Sequence, residues 1–185
     1  MSTDIVKTHV EGHLRIWDKE SGKILFDGHN DVNPENLSYA MALSLCGKSA
    51  GFIKYMAFGN GGARATSSNK YIYSVPQTVG RAASLYNEIV RKDLSIADED
   101  NYMIVTHATG NEYSDIMVRA TMKKQDLDGV LGSVENNSIA SEETFSEIGL
   151  VSTDGSLLTH LCFSPITKSD RAELVFDYLL RIAII

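Results

Sequence analysis

The chain has 185 residues, of which 43% are hydrophobic, so it is long enough to bury the core of one domain. Its 24 acidic and 17 basic residues give a formal net charge of −7, which argues against direct, sequence-specific nucleic-acid binding through phosphate contacts. No apolar run reaches the roughly 20 residues of a membrane span, and the N-terminus has no apolar signal core, so we predict no membrane association and no export.

The N-terminal part predicts an arm followed by a β-hairpin. Residues 1–10 are polar, and we predict an N-terminal arm there. Apolar residues then alternate with polar ones on both sides of the stretch 18–22, whose sequence DKESG favours a turn. Two antiparallel strands are therefore expected, with Trp17 anchoring the end of the hairpin.

The stretch from Asp27 to Gly62 predicts a helix between two strands, and the rest of the chain is organised around it. Asn33 is a good N-cap, and Pro34 suits the first helical position because its missing N–H costs nothing there. Gly47 is expected to end the helix. Residues at three- and four-residue steps predict one apolar face packed in the common core, formed by Leu37, Met41, Ser44 and Leu45 with Ala40 between them.

A glycine loop and a long connection follow the next predicted strand, 52–58. Glycines at 59, 61 and 62 end that strand; they either cradle an anion with their N–H groups or, as we favour, supply positive φ angles. We predict that residues 59–80 form a contact arm, the alternative being a flap over the chain's own core. The predicted interface residues are Tyr71, Ile72, Tyr73 and Val75, because large apolar side chains in a polar loop are typical anchors.

The second half of the chain predicts strands. Residues 81–93 fit either a short helix or a turn followed by an extended stretch, and 124–140 form a polar loop. Strand patterns occupy 102–108, 116–122, 144–151, 156–163 and 172–184, the last apolar enough to lie mid-sheet. The fold class is therefore α+β and β-dominated, a mainly antiparallel sheet or β-sandwich with one packed α-helix, in a single domain 1–185.

No set of residues predicts catalysis, a cofactor or a metal site. Cys46 and Cys162 lie in apolar runs and are expected to be free, buried thiols. The histidines lack metal-ligand spacing, and His160 is expected to be a packed or rim residue within a strand. The polar run Asp27–Asp31 is interpreted as turn formers, and there is no G-x-S-x-G nucleophile motif. We therefore predict that the chain is not an enzyme.

Two segments carry a resemblance to a known class of proteins. Met56–Gly61, after a helix and a short strand, resembles the "I-x-x-M-A-x-G-x-G" strand and loop of tailed-bacteriophage virion proteins. Glu147–Leu150 with Asp154–Lys168 resembles their "E-x-G-L … G-x-L-L-x-R-x-x-F-x-P-I-x-K" segment, with His160 where arginine is commoner. Within the second segment, Pro165 is expected to end a strand, and Lys168 to be a solvated loop residue.

The resemblance implies a structural subunit of the virion, made in the host cytoplasm. The expected place is the neck, the head–tail connector or another tail component, where the chain would assemble as a homo-oligomer, in a ring, with other virion proteins. A tail-fibre or baseplate module that binds the host surface is the first alternative. A small hydrolytic enzyme is the second.

Overall fold

The chain forms a β-dominated α+β fold with one α-helix, as predicted. The computed structural model describes residues 6–68, 70–123, 126, 143–169 and 172–185. The helix α1 spans Pro34–Leu45, and a short 3-10 turn follows at Ser49–Gly51. The strands in this part of the chain are β1 (Thr8–Asp18), β2 (Ile24–Val32), β3 (Ile53–Gly59), β4 (Ala63–Ala65), β5 (Tyr71–Tyr73), β6 (Glu88–Asp93), β7 (Tyr102–Thr106), β8 (Tyr113–Met122), β9 (Glu143–Ser152), β10 (Thr159–Lys168) and β11 (Leu174–Ile184).

Nine of the strands form one curled antiparallel sheet in the order β6-β3-β9-β10-β2-β1-β11-β8-β7, and β4 and β5 form a separate hairpin. The predicted pairings of β1 with β2 and of β7 with β8 are present, and β11 lies mid-sheet between β1 and β8. Only two residue pairs join β10 to β2, namely Thr159 with Val32 and His160 with Asp31. The sheet turns at this narrow junction, so its two halves face each other.

The main core lies between the two facing halves of the sheet. The ring of Phe58 on β3 lies 4.7 Å from the ring of Phe176 on β11, although four strands separate β3 from β11 in the sheet order. Ala57, which alternates with its core neighbours on β3, is buried on the opposite face in a second cluster with Leu85, Val151 and Leu157. Strand β3 is therefore covered on both faces, and Leu85 brings the segment after β5 onto its outer side.

Helix α1 begins and ends as predicted, but its apolar face is only partly buried. Asn33 Oδ1 accepts the backbone N–H of Asn36, and Gly47 has a φ of 70° just beyond the helix. Leu37 and Ala40 are buried but belong to neither core cluster, and Leu45 is 88% exposed, so the expectation that this face packs in the common core is wrong. Leu45 is the last helical residue, and its side chain borders an open groove between the helix and the sheet.

Three sequence interpretations of polar and strand-end residues are wrong. Strand β10 continues through Pro165, because a register shift between Cys162 and Ile166 places this proline where the ladder is irregular and a missing N–H costs little. Lys168 is fully buried rather than a solvated loop residue. Asp27–Asp31 lies within β2, so its side chains alternate between faces instead of forming a turn.

The remaining predictions concern the arm and the loops. Thr8–Val10, predicted as part of an N-terminal arm, pair with the end of β11, and residues 1–5 lie outside the described residues. The stretch 81–93 is a turn followed by strand β6, which is the second of the two interpretations. The predicted loop 124–140 also lies outside the described residues, apart from residue 126.

Candidate functional site

A buried carboxylate and imidazole lie on neighbouring strands where the two resembling segments meet. Glu147 on β9 and His160 on β10 both have no solvent exposure, and Glu147 Oε2 lies 3.0 Å from His160 Nε2. The register pairs Glu147 with Cys162, so His160 is its diagonal neighbour two residues away. Cys162 Sγ lies 3.7 Å from the same imidazole nitrogen.

The Glu147 carboxylate accepts hydrogen bonds from two separate loop segments. Its Oε1 lies 2.8 Å from the backbone nitrogens of both Gly61 and Asn87, and its Oε2 lies 2.9 Å from the backbone nitrogen of Tyr86. Burial alone would raise the pKa of this carboxyl, but the hydrogen bonds from His160 and the three backbone N–H groups outweigh it, so the pKa is lowered. The ionised side chain therefore ties both loops to the sheet.

The hydrogen bonds of His160 fix its tautomer. The backbone N–H of Gln77 donates to Nδ1 at 2.7 Å, so Nδ1 carries no proton. The proton of the neutral ring is then on Nε2, which donates it to Glu147. Both ring nitrogens are thus used, and the imidazole joins the segment around Gln77 to the same cluster. We call Glu147, His160 and the backbone N–H groups that they bind the Glu147 clamp.

The glycine loop is shaped by the Glu147 clamp. Positive φ angles occur elsewhere among the described glycines, so the interpretation that the loop 59–62 needs positive φ is wrong. A Cβ atom on Gly59 would lie 2.5 Å from Glu147 Oε1, and one on Gly61 would lie 2.4 Å from Tyr86 Cβ. The other interpretation, an anion held by the loop N–H groups, fits Gly61, and the anion is the chain's own carboxylate.

The Glu147 clamp does not fit a metal site or a nucleophile. In the described part of the chain, one group of potential metal ligands is present, Glu147, His160 and Cys162, with ligand atoms within 4.8 Å of one another. A metal on His160 Nε2 would shift the ring proton to Nδ1, which faces the N–H of Gln77. Burial, followed by the charges of Glu147 and Asp31, raises the pKa of the Cys162 thiol to about 12, so it is not a thiolate at neutral pH.

Sequence reasoning did not find the Glu147 clamp, although a signal was present. Glu147 and His160 lie in the two successive predicted strands 144–151 and 156–163. An acid and a hydrogen-bond donor on two strands joined by a short turn are consistent with a cross-strand pair. The thiols were also placed wrongly, since Cys46 is exposed and Cys162 only partly buried, although both are free as predicted.

The four predicted interface residues lie together on a small exposed hairpin. Strands β4 and β5 pair within the region predicted as an irregular loop, and we call residues 63–75, apart from residue 69, the arm. Its base is fixed, because Ser74 donates its N–H to the carbonyl of Gly62 at 2.8 Å. The side chains beyond the base are exposed: Tyr71, Ile72 and Tyr73 by about half and Val75 by 78%.

No family model matches the chain, and no curated protein and no solved structure matches it either. Within the described ranges, no helix is both long and apolar enough to cross a membrane.

Proposed function

We propose that this chain is a structural subunit of a tailed-bacteriophage particle. It serves in the neck, the head–tail connector or the tail, and assembles through protein–protein contacts with further copies in a ring and with other virion proteins. The observation that carries the proposal is the arm, whose large apolar side chains are about half exposed or more, on a base fixed by partly buried hydrogen bonds. A surface of this kind is typical of an assembly contact.

The Glu147 clamp supports this role because it presents the arm in one orientation. Gly61, just before the arm, and Gln77, just after it, are bound by Glu147 and His160. Tyr86 adds a third tie, since its hydroxyl donates to the carbonyl of Val75 at 2.7 Å. A contact segment whose ends are already ordered loses less conformational entropy when it binds a partner.

The arrangement of the resembling segments is also consistent with the proposal. Met56–Gly61 is far in sequence from Glu147–Leu150 and Asp154–Lys168, yet the three segments lie on the adjacent strands β3, β9 and β10 and in the loops that follow or join them. Their polar residues meet in the Glu147 clamp. The resemblance therefore concerns one connected part of the fold.

A host-binding module remains the second candidate. Tyr71, Tyr73 and Tyr86 are each about half exposed, on the arm and on the segment tied to its base. Exposed tyrosines with a free ring face are suited to stacking on sugars. Binding of the purified protein to host-surface glycans, lost in Tyr71→Ala and Tyr73→Ala, would favour this candidate over the assembly role.

The test is to find the chain in purified particles by mass spectrometry and to place it by a particle reconstruction. We expect several symmetric copies in the neck or tail. Ile72→Asp should lower incorporation into particles, whereas Ile24→Asp, a matched change at another exposed isoleucine, should not. Absence of the chain from virions, or its presence as one isolated copy, would overturn the proposal.

A further inference from the structure

A second exposed apolar surface lies at the other end of strand β3 from the arm. It is an open groove of about 590 Å³ between α1 and the sheet. We call it the helix groove, and its lining includes Met41, Leu45, Phe52, Met103, Val105 and Ile182. Leu45, Phe52, Met103 and Val105 are exposed, so the groove is a continuous apolar surface rather than a closed cavity.

The helix groove adjoins an unprotected edge of the sheet. Strand β7 is an edge strand whose sequence YMIVT has neither a charge nor a proline, and its Ile104 and Val105 side chains are exposed. The opposite edge strand, β6, reads EIVRKD and carries four charged residues. Charged side chains are the usual protection of a free edge, so β7 has the properties of a strand that is covered in an assembly.

Charge distinguishes the arm from the surroundings of the helix groove. Residues 59–87 contain three of the basic residues, Arg64, Lys70 and Arg81, and none of the 24 acidic residues of the chain. The loop 93–100, which leads into β7 and contributes Ser95 to the groove, has four acidic residues and no basic one. The side chains of Asp98 and Glu99 in this loop are exposed. Asp93 is paired with Lys54, which itself lines the groove, and Asp100 is paired with Lys19 and Lys123. The charge on the rim that complements the arm is therefore that of Asp98 and Glu99.

The two surfaces are too far apart to meet within one molecule. The arm follows Gly59 at the end of β3, whereas Phe52 and Ile53 line the groove at its beginning. The seven residues of β3 span about 20 Å, and the Glu147 clamp fixes the base of the arm. A contact between two different surfaces of identical chains is head-to-tail, and it produces a ring when the rotation closes.

We propose that the arm of one copy docks in the helix groove of the next copy, beside β7. Ile72 of β5 enters the groove, and its cross-strand partner Arg64, on the same face of the hairpin, lies with Lys70 near the acidic loop 93–100. This inference deepens the proposed assembly role and rests on it for its biological setting. The contact itself is a property of the purified chain and is tested separately.

The test is cross-linking between two variants that each carry one introduced cysteine; Cys162, the native thiol that remains, is partly buried. Ile72→Cys places a thiol on the arm and Val105→Cys places one in the groove, both in a Cys46→Ser background because Cys46 is exposed. Each variant is treated with a short bismaleimide, alone and mixed with the other, at the highest concentration that stays soluble. The control is Ser21→Cys, in the exposed turn between β1 and β2, mixed with Val105→Cys.

A head-to-tail contact predicts linked dimers in the mixture of Ile72→Cys and Val105→Cys, at least about tenfold above the control and above either variant alone. Lys70→Glu should lower the yield several-fold at low salt, and adding Glu99→Lys in the partner should restore it. A yield equal to the control, or links only between identical variants, would overturn the inference. If the cross-linking failed but the chain were detected in virions, the proposed assembly role would remain and only this contact would be ruled out.

Discussion

Glu147 Oε2 and His160 Nε2 lie 3.0 Å apart on adjacent strands, with no solvent exposure at either side chain. Both carboxylate oxygens of Glu147 and the Nδ1 atom of His160 accept hydrogen bonds from backbone N–H groups, and His160 Nε2 donates to the carboxylate. The pair therefore works as a structural tie. It fixes the glycine loop, the segment around Gln77 and the segment around Tyr86 to the sheet.

Glu147→Gln should lower the free energy of unfolding by about 3 kcal/mol, because the amide nitrogen would face N–H donors in a buried site. Equilibrium unfolding in denaturant measures this loss. The matched control is Glu88→Gln, which breaks a surface ion pair with Arg91 and should cost at most about 1 kcal/mol. Amide exchange at Gly61, Tyr86 and Asn87 should also become faster in Glu147→Gln. Equal losses in the two variants would contradict the role of the Glu147 clamp.

Stability should decrease in acid partly through Glu147. Its pKa is lowered in the folded chain, so its contribution is complete above the unfolded pKa of about 4.3 and is lost as the pH falls through the folded pKa. Unfolding free energies measured between about pH 7 and about pH 3 should fall more steeply for the wild type than for Glu147→Gln. Parallel curves for the two proteins would show that Glu147 is not held ionised by its hydrogen bonds.

Leu45→Ala should change the free energy of unfolding by less than about 0.5 kcal/mol, since the side chain is 88% exposed. Phe58→Ala should cost about 3–5 kcal/mol, because this ring is fully buried against Phe145 and Phe176. Denaturant unfolding of both variants tests the observed core. A large loss in Leu45→Ala under dilute, monomeric conditions would mean that the end of α1 packs more closely than the structure shows.

The two thiols should differ in reactivity. At neutral pH a maleimide should label the exposed Cys46 quickly and the partly buried Cys162 slowly, since the pKa of Cys162 is raised to about 12. Mass spectrometry should show one rapid maleimide addition to the native protein and two additions to the unfolded protein. The rapid addition should disappear in Cys46→Ser. Rapid labelling of Cys162 would contradict its environment in the sheet.

The sequence alone was sufficient to predict a structural feature wherever that feature depends on residues close together in the chain. Asn33, Pro34 and Gly47 set the ends of α1 because capping depends on the few residues around each helix end. Alternating apolar residues likewise predicted most strands and the β-dominated class, since side chains on successive strand residues point to opposite faces. Local composition also singled out the four interface candidates, which are exposed on the arm; their role in an interface stays a prediction.

Only the tertiary structure decided which side chains meet. The Glu147 clamp joins Gly61, Gln77 and His160, and the hydrogen bond between Gly61 and Glu147 spans 86 residues of sequence. Its formation depends on strand order and register, which no local pattern encodes. The same holds for Leu45 and Lys168: whether a helix end overhangs the sheet, or a lysine near a strand end is buried, depends on the curl of the whole sheet. The burial of a side chain depends on chain segments that are distant in sequence. The sequence therefore predicted burial only where the pattern within a single helix or strand was sufficient.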